Sequence, residues 1–277
     1  MTGSWDGRAN LTSYDEVEAS TNYRSAVELE AYRAERLAFG GARARFALAQ
    51  TAMSVPTKVI EVGAGSSALL YAMELDGALE HAIAIEVSRT RHGFAERWKA
   101  DRGFKRVQNR CADFATVPLD PGWADLFLCL DNTFSYLGPE EPAYPRILID
   151  KAFATLRPGG ALLVEIHNQE KVIGALRDDE RQFWVELAST NAFKFALYRQ
   201  TLDRAKNWLR SESIYLGENG AKRRKVDLET IYDRATIEAL LVAGGFGSLQ
   251  CFGDYSGATF DVRGSDYLIV LARKPGR

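Results

Sequence analysis

Strand-like apolar runs recur along the first two-thirds of the chain: KVIEVG (Lys58–Gly63), HAIAIEVS (His81–Ser88), KRVQNRCADF (Lys105–Phe114), ADLFLCLDN (Ala124–Asn132) and ALLVEIHN (Ala161–Asn168). Segments of helical periodicity separate them: SALLYAMELDG closing at Gly77, RTRHGFAERWKADRG closing at Gly103, and YPRILIDKAFATL stopped by Pro158-Gly159-Gly160. Upstream, Asn22 to Ala52 is rich in Ala, Glu, Arg and Leu at helical spacing; the pattern predicts one or two helices broken near Gly40-Gly41 and ended by Pro56. Strands alternating with helices imply a parallel sheet covered on both faces, joined by right-handed crossovers. Near-continuous apolar strands, rather than alternating ones, fit the same sheet.

After Asn168 the rhythm changes. QEKVIGALRDDERQFWVELAS reads as a helix. FKFALYRQTLD, KNWLRSESIYLG and KRRKVDLETIYD read as three antiparallel strands, the last two joined by the Asn219-Gly220 turn. A helix in ATIEALLVAGGF and strands in LQCFGDY and DYLIVLARK complete the sheet. The expected organisation is an N-terminal lid with helices (1–54), a core (55–170), a helix plus antiparallel insertion (171–232), and a C-terminal completion of the core sheet (233–277). The insertion is long enough to cover an active site or to make a homodimer contact.

A formal net charge of −2 leaves no global field to recruit nucleic acid or anionic lipid. The basic run Lys222–Lys225 reads as a solvated hairpin rather than a nucleic-acid surface. Three cysteines and three histidines are dispersed without ligand spacing, so neither a disulfide framework nor a structural metal is expected. The first residues have no basic and apolar signal pattern, and no run is long enough to span a bilayer, so the expected setting is cytoplasmic.

The chemistry concentrates at the carboxyl ends of the strands, where ligands sit in such sheets. Gly63-x-Gly65-x-x-Ala68 fits a dinucleotide turn, in which a helix N-terminus receives pyrophosphate. Glu61 stands just before that turn, and a carboxylate beside pyrophosphate is a like-charge pair. A sulfonium and ammonium ligand, S-adenosylmethionine, reverses the sign. Gly63, Ala64 and Gly65 then offer close backbone approach. Glu86 is placed to accept from ribose hydroxyls, as either NAD or S-adenosylmethionine requires, and Asp113 with Phe114 to meet an adenine ring.

In this order VIEVGAGSS, IAIEVS, CADF, LFLCLDNTFSYL and LRPGGALLVEIHN resemble the successive motifs of class I S-adenosylmethionine-dependent methyltransferases over roughly residues 55–170. The resemblance implies a doubly wound, mostly parallel, seven-stranded Rossmann-like α/β sheet and S-adenosylmethionine as cofactor. LFLCLDNTFSYL beside LRPGGALLVEIHN is similar to small-molecule N-methyltransferases of glycine, sarcosine and amino sugars, with Asp131 where the glycine enzymes have Gly. Ser67 stands where the family usually has a third glycine. The resemblance further implies an N-terminal segment that closes over the site, in which Tyr23 and Arg24 touch the cofactor and Tyr14 the substrate.

Beyond the fourth strand, Asp131 faces the cofactor and Asn132, Phe134 and Tyr136 the reacting end, or Asp131 and Asn132 cap a helix while the aromatics pack. His167 and Asn168 end the fifth strand at the functional edge, where Asn168 is a candidate to bind the substrate and His167 either orients the substrate or acts as a general base, or is a satisfied edge histidine. Tyr215 is a candidate roof over the substrate. The expected activity is methyl transfer to a small polar metabolite, an amine before a hydroxyl. An NAD(P)-dependent oxidoreductase, a non-catalytic S-adenosylmethionine-binding protein and a nucleic-acid methyltransferase are the alternatives.

Overall fold

The computed structural model describes residues 25–187, 193–217, 220 and 222–276. Tyr14, Tyr23, Arg24 and Asn219 lie outside the described residues. Helix α1 (Ala26–Thr51) opens on Ser25, whose hydroxyl accepts from Glu28 N at 3.1 Å. It runs unbroken through Gly40 and Gly41, against the expected break. A Cβ on Gly40 would come within 2.8 Å of the Leu69 backbone, so this glycine lets α1 lie directly on the next helix rather than ending α1.

The chain continues β1 (Thr57–Val62), α2 (Ala68–Leu75), β2 (Leu79–Glu86), α3 (Arg89–Arg102), β3 (Val107–Cys111), β4 (Ala124–Cys129), α4 (Thr133–Glu140), α5 (Tyr144–Thr155) and β5 (Leu156–His167). After α6 (Gln169–Gly174) come β6 (Glu180–Glu186), β7 (Phe193–Asp203), β8 (Trp208–Gly217) and β9 (Lys222–Thr230). Helix α7 (Arg234–Ala243), β10 (Leu249–Phe252) and β11 (Tyr267–Arg273) follow.

The main sheet is seven-stranded in the order β10-β11-β5-β4-β1-β2-β3. Strands β5, β4, β1, β2 and β3 are parallel neighbours, and β11 joins β5 antiparallel. Both faces are buried, which explains the continuous apolar runs: Val59, Leu126, Leu128 and Leu163 enter one core with α1, α2 and α3, while Ile60, Phe127, Cys129 and Val164 enter the other with α4, α5 and α7. The order reverses at β1, whose neighbours are β2 and β4, so the crevice for a ligand opens beyond the ends of β1 and β4.

The second sheet is antiparallel, four-stranded and ordered β6-β7-β8-β9. Its first strand corrects the expected long helix: only Gln169–Gly174 is helical, and ERQFWVE pairs with β7. Alternation of exposed Gln182, Trp184 and Glu186 with half-buried Arg181, Phe183 and Val185 is the period-two signature that the helical reading missed. The polarity of this sheet is inverted. Its inward face buries Gln200, Ser211, Ser213, Asp227 and Glu229, while Trp184, Phe195, Leu197 and Ile214 are exposed on its outward face.

Candidate active site

The turn after β1 is built on two left-handed glycines, Gly63 (φ +72°) and Gly65 (φ +56°). Gly63 N and Ala64 N donate to Ile85 O at 2.9 and 3.2 Å, clamping the turn to β2. A Cβ on Gly63 would lie 2.5 Å from Thr133 Oγ1, so this glycine serves the packing of the β1 and β4 loops. Around Gly65 the space is open: a Cβ there would meet nothing nearer than Arg91 Nη1, at 3.9 Å. Gly65 N donates to Glu86 Oε2 at 2.7 Å and Ser88 N to Glu86 Oε1 at 2.8 Å, so Glu86 ties the turn to the start of α3. The Ser67 hydroxyl donates to Asn109 Oδ1 at 2.7 Å, on the β3 side, which is why a serine is accommodated there.

Glu61 is buried at the end of β1, and its Oε2 has no hydrogen-bond partner. Burial, reinforced by Asp131 and opposed by Arg43, pushes its carboxyl up to about 8. A buried, unpaired carboxylate beside a glycine cradle suits a cationic ligand and opposes a pyrophosphate. The residues present therefore fit S-adenosylmethionine: Gly63–Gly65 for backbone approach, Glu61 for its positive end and Glu86 for its ribose. Asp113 accepts from Ala115 N at 2.8 Å and from the Tyr144 hydroxyl. Phe114 is buried in the core against Tyr144, not free to lie on an adenine face, because the turn after β3 directs it under the sheet.

Beyond β4, Asp131 and Asn132 are both left-handed (φ 53° and 59°). Arg43, from α1, donates to Asp131 Oδ1 at 2.7 Å and reaches Glu165 Oε2 at 3.1 Å, while Arg36 Nη2 lies 3.7 Å from Asp131 Oδ2. Burial works against the Asp131 charge, but Arg43 and Arg36 hold its carboxyl below the usual range. Burial lifts the Glu165 carboxyl above it in spite of Arg43. Tyr255 donates to Glu165 as well. Sequence reasoning missed this network; the signal was an acid inside the apolar run LLVEI.

Asn132 is the N-cap of α4 and makes no capping bond; its Oδ1 accepts from His167 N at 3.1 Å, joining β4 to β5. The left-handed turn points Phe134 into the core, where it is fully buried against Tyr232, so it does not line the acceptor site as expected. Tyr136 is half-buried on α4. Asn168 is also corrected to a structural role. Its Oδ1 caps α6 by accepting from Lys171 N at 3.2 Å, and its Nδ2 donates to Val262 O and Ser265 O at 2.9 Å each.

His167 does stand at the edge, with Nδ1 3.9 Å from Glu229 Oε2. Glu229 comes from β9, is buried, and also accepts from Gln169 Nε2 at 3.3 Å. Burial alone would lower the His167 pKa, but Glu229 raises it above the ordinary histidine value. Tyr215 lies on the inward face of β8 and shares a hydrogen bond with Tyr198. The geometry thus unites Glu61, Gly65, Glu86, Asp131 and His167 along one sheet edge and adds Arg43, Glu165 and Glu229.

Residues 60–164 match the family described as methyltransferase domain. A sequence comparison with curated proteins gives no match. Among solved structures, the CcbJ methyltransferase from Streptomyces caelestis superposes with a TM-score of 0.76 at 18% identity, over 98% of this chain and 100% of that one. An S-adenosylmethionine-dependent methyltransferase from Clostridium acetobutylicum gives 0.71 at 15% identity, over 85% and 92%. The S-adenosylmethionine-bound CalS10, an amino pentose methyltransferase from Micromonospora echinaspora, gives 0.59 at 18% identity, over 91% and 98%. These likenesses speak for the Rossmann-like methyltransferase fold. With the domain match, residues 60–164 form a methyltransferase domain on a fold that S-adenosylmethionine-dependent methyltransferases share.

Proposed function

We propose that this enzyme methylates the amine of a small polar metabolite, with His167 as the proton acceptor. The observation that supports it is the His167–Glu229 pair at the same sheet edge as the glycine turn. When bound, S-adenosylmethionine supplies an electrophilic methyl carbon. Glu61 balances its positive charge, Glu86 accepts from its ribose hydroxyls, and the backbone of Gly63, Ala64 and Gly65 lies along it. His167 takes a proton from the acceptor's ammonium, leaving the nitrogen lone pair free for in-line attack. Glu229 steadies the imidazolium that results.

An amine suits this edge better than a hydroxyl. Glu61, Asp131, Glu165 and Glu229 surround it, with Arg43 buried between Asp131 and Glu165. Carboxylates attract an ammonium and oppose the alkoxide or phenolate that hydroxyl methylation develops. CalS10 is described as an amino pentose methyltransferase, and an amino pentose is a small polar substrate that carries an amine. The test is methyl transfer from tritiated S-adenosylmethionine to metabolite pools sorted into amines and hydroxyl compounds. Label appearing only on oxygen ends the amine reading.

We also infer that a second copy of the chain covers the outward face of the second sheet. Trp184, Leu197 and Ile214 lie opposite one another across β6, β7 and β8, all exposed, with Phe195 beside them. The β6 edge carries Glu180 and Glu186 outward and the β9 edge Lys222 and Arg224. A two-fold axis along the strands sets β6 of one copy over β9 of the other, matching acid to base and apolar row to apolar row. Among the described residues no helix is long and apolar enough to cross a membrane.

A further inference from the structure

The inward face of the second sheet carries a polar row that proton removal at His167 leaves unused. Arg181, Gln200, Ser211 and Asp227 lie opposite one another across β6, β7, β8 and β9. Arg181 Nε donates to Gln200 Oε1 at 2.5 Å, and Gln200 Nε2 donates to Ser211 Oγ at 2.9 Å. The Arg181 guanidinium also lies 4.7 Å from the Phe183 ring centroid, and Phe183 stacks on Tyr198 with centroids 4.9 Å apart and planes 10° from parallel. The side chain is therefore fixed in direction by two hydrogen bonds in series and an aromatic platform.

What the bracing leaves over is the Nη edge of the fork. Among the described residues no carboxylate pairs with Arg181, although Arg199 on the opposite face holds Glu180 at 2.6 Å. The side chain is half-buried, and only burial acts on its charge, lowering its pKa. A partly desolvated, pre-oriented guanidinium with a free edge is a receptor for a carboxylate or phosphate, which it binds bidentately. The row ends at Asp227, 3.0 Å from Lys225 Nζ, and Glu229 follows two residues further along β9, opposite Leu209. From Asp227 to Arg181 the row crosses three strand spacings, about 14 Å, with Glu229 and His167 one inward position beyond its acidic end.

The geometry points to Arg181 as the anchor for an oxyanion on the methyl acceptor, so that the acceptor is an elongated zwitterion with its amine at His167 and its carboxylate or phosphate at β6. This rests on the reading of His167 as the reacting end, whereas the anion site itself stands on Arg181, Gln200 and Phe183. An inward charge on an edge strand also discourages stray sheet pairing, and a residue kept only for that purpose binds no anion.

The full chain, labelled with nitrogen-15 arginine and saturated with S-adenosylhomocysteine, is titrated with inorganic phosphate and with acetate at constant ionic strength. The Arg181 Nε–Hε signal, assigned by its loss in Arg181→Gln, should shift saturably, and the stronger of the two anions names the group. Arg181→Lys should bind that anion about tenfold more weakly, since it keeps the charge and loses the fork. A shift no larger than that of the exposed Arg146 would overturn the site. With amine acceptors in hand, the kcat/KM preference for those bearing a distal oxyanion should fall about tenfold in Arg181→Gln. Anion binding without methylation of any amine would sink the amine reading and leave the anchor standing; an unchanged preference would sink the anchor.

Discussion

His167 Nδ1 and Glu229 Oε2 stand 3.9 Å apart, one at the end of a parallel strand of the main sheet and the other on the last strand of the antiparallel sheet. The second sheet therefore supplies a carboxylate to the reacting edge. Glu229 raises the His167 pKa, so the pair's contribution to stability is present at low pH and is lost as pH rises through the folded-state value. Glu229→Gln should move the acid limb of the kcat/KM profile to lower pH, because the imidazolium loses its carboxylate. His167→Ala should lower kcat about 10²–10⁴-fold. An acid limb that stays in place in Glu229→Gln would remove Glu229 from the mechanism.

Cofactor binding should release a proton at neutral pH. Burial places the Glu61 carboxyl at about 8, so it is protonated below that value, and a cationic ligand favours its ionised form. Affinity for S-adenosylmethionine should then rise with pH and level off above about 8. Isothermal titration at pH 7 in two buffers of different ionisation enthalpy reads the released proton directly. Glu61→Gln should abolish the release; equal enthalpies in both buffers for the unmodified protein would contradict the assignment.

Arg43 is the cation buried between Asp131 and Glu165. Arg43→Met leaves Glu165 without its counter-charge and should cost about 3–5 kcal/mol in urea unfolding at neutral pH. Because the Glu165 carboxyl is already lifted, acid protonates it readily, and the deficit should shrink as pH falls. A pH-independent deficit would mean that lost packing against Phe39 and Tyr255 dominates.

Gly40→Ala sets two effects against each other. Helix propensity favours alanine by about 1 kcal/mol. A Cβ 2.8 Å from the Leu69 backbone forces α1 away from α2, and overpacking of this kind costs about 1–3 kcal/mol. The obstacle is main chain and cannot rotate aside, so thermal unfolding should show a net loss. A raised melting temperature would mean that the two helices separate freely.

Trp184→Glu should halve the molecular mass seen by sedimentation equilibrium while leaving cofactor affinity unchanged, since Trp184 lies on the face turned away from His167. The same mass for both proteins would rule out that face as the contact.

Much of the core was legible in the sequence because its signals are local. A buried parallel strand is a short apolar run, and a turn at positive φ calls for glycine, so β1, Gly63 and Gly65 could be read directly. Glu86 and Glu61 followed from their places at strand ends. The reading failed where meaning depends on a distant neighbour. Gly40 resembles a helix break until Leu69 lies against it. Phe114 and Phe134 sit in loop motifs but are turned under the sheet, and Asn168 spends its polar atoms on α6 and the loop before β11.

The amino-acid sequence by itself determined the alternating architecture, the glycine turn and a carboxylate at its mouth, because each follows from backbone sterics and side-chain period within a few residues. Only the tertiary structure decided which acids meet which bases. Arg43 with Asp131 and Glu165, His167 with Glu229, and Arg181 with Gln200 are pairings between separate elements. Charge acts through space and is strengthened by burial, and neither distance nor burial is written in the order of the residues.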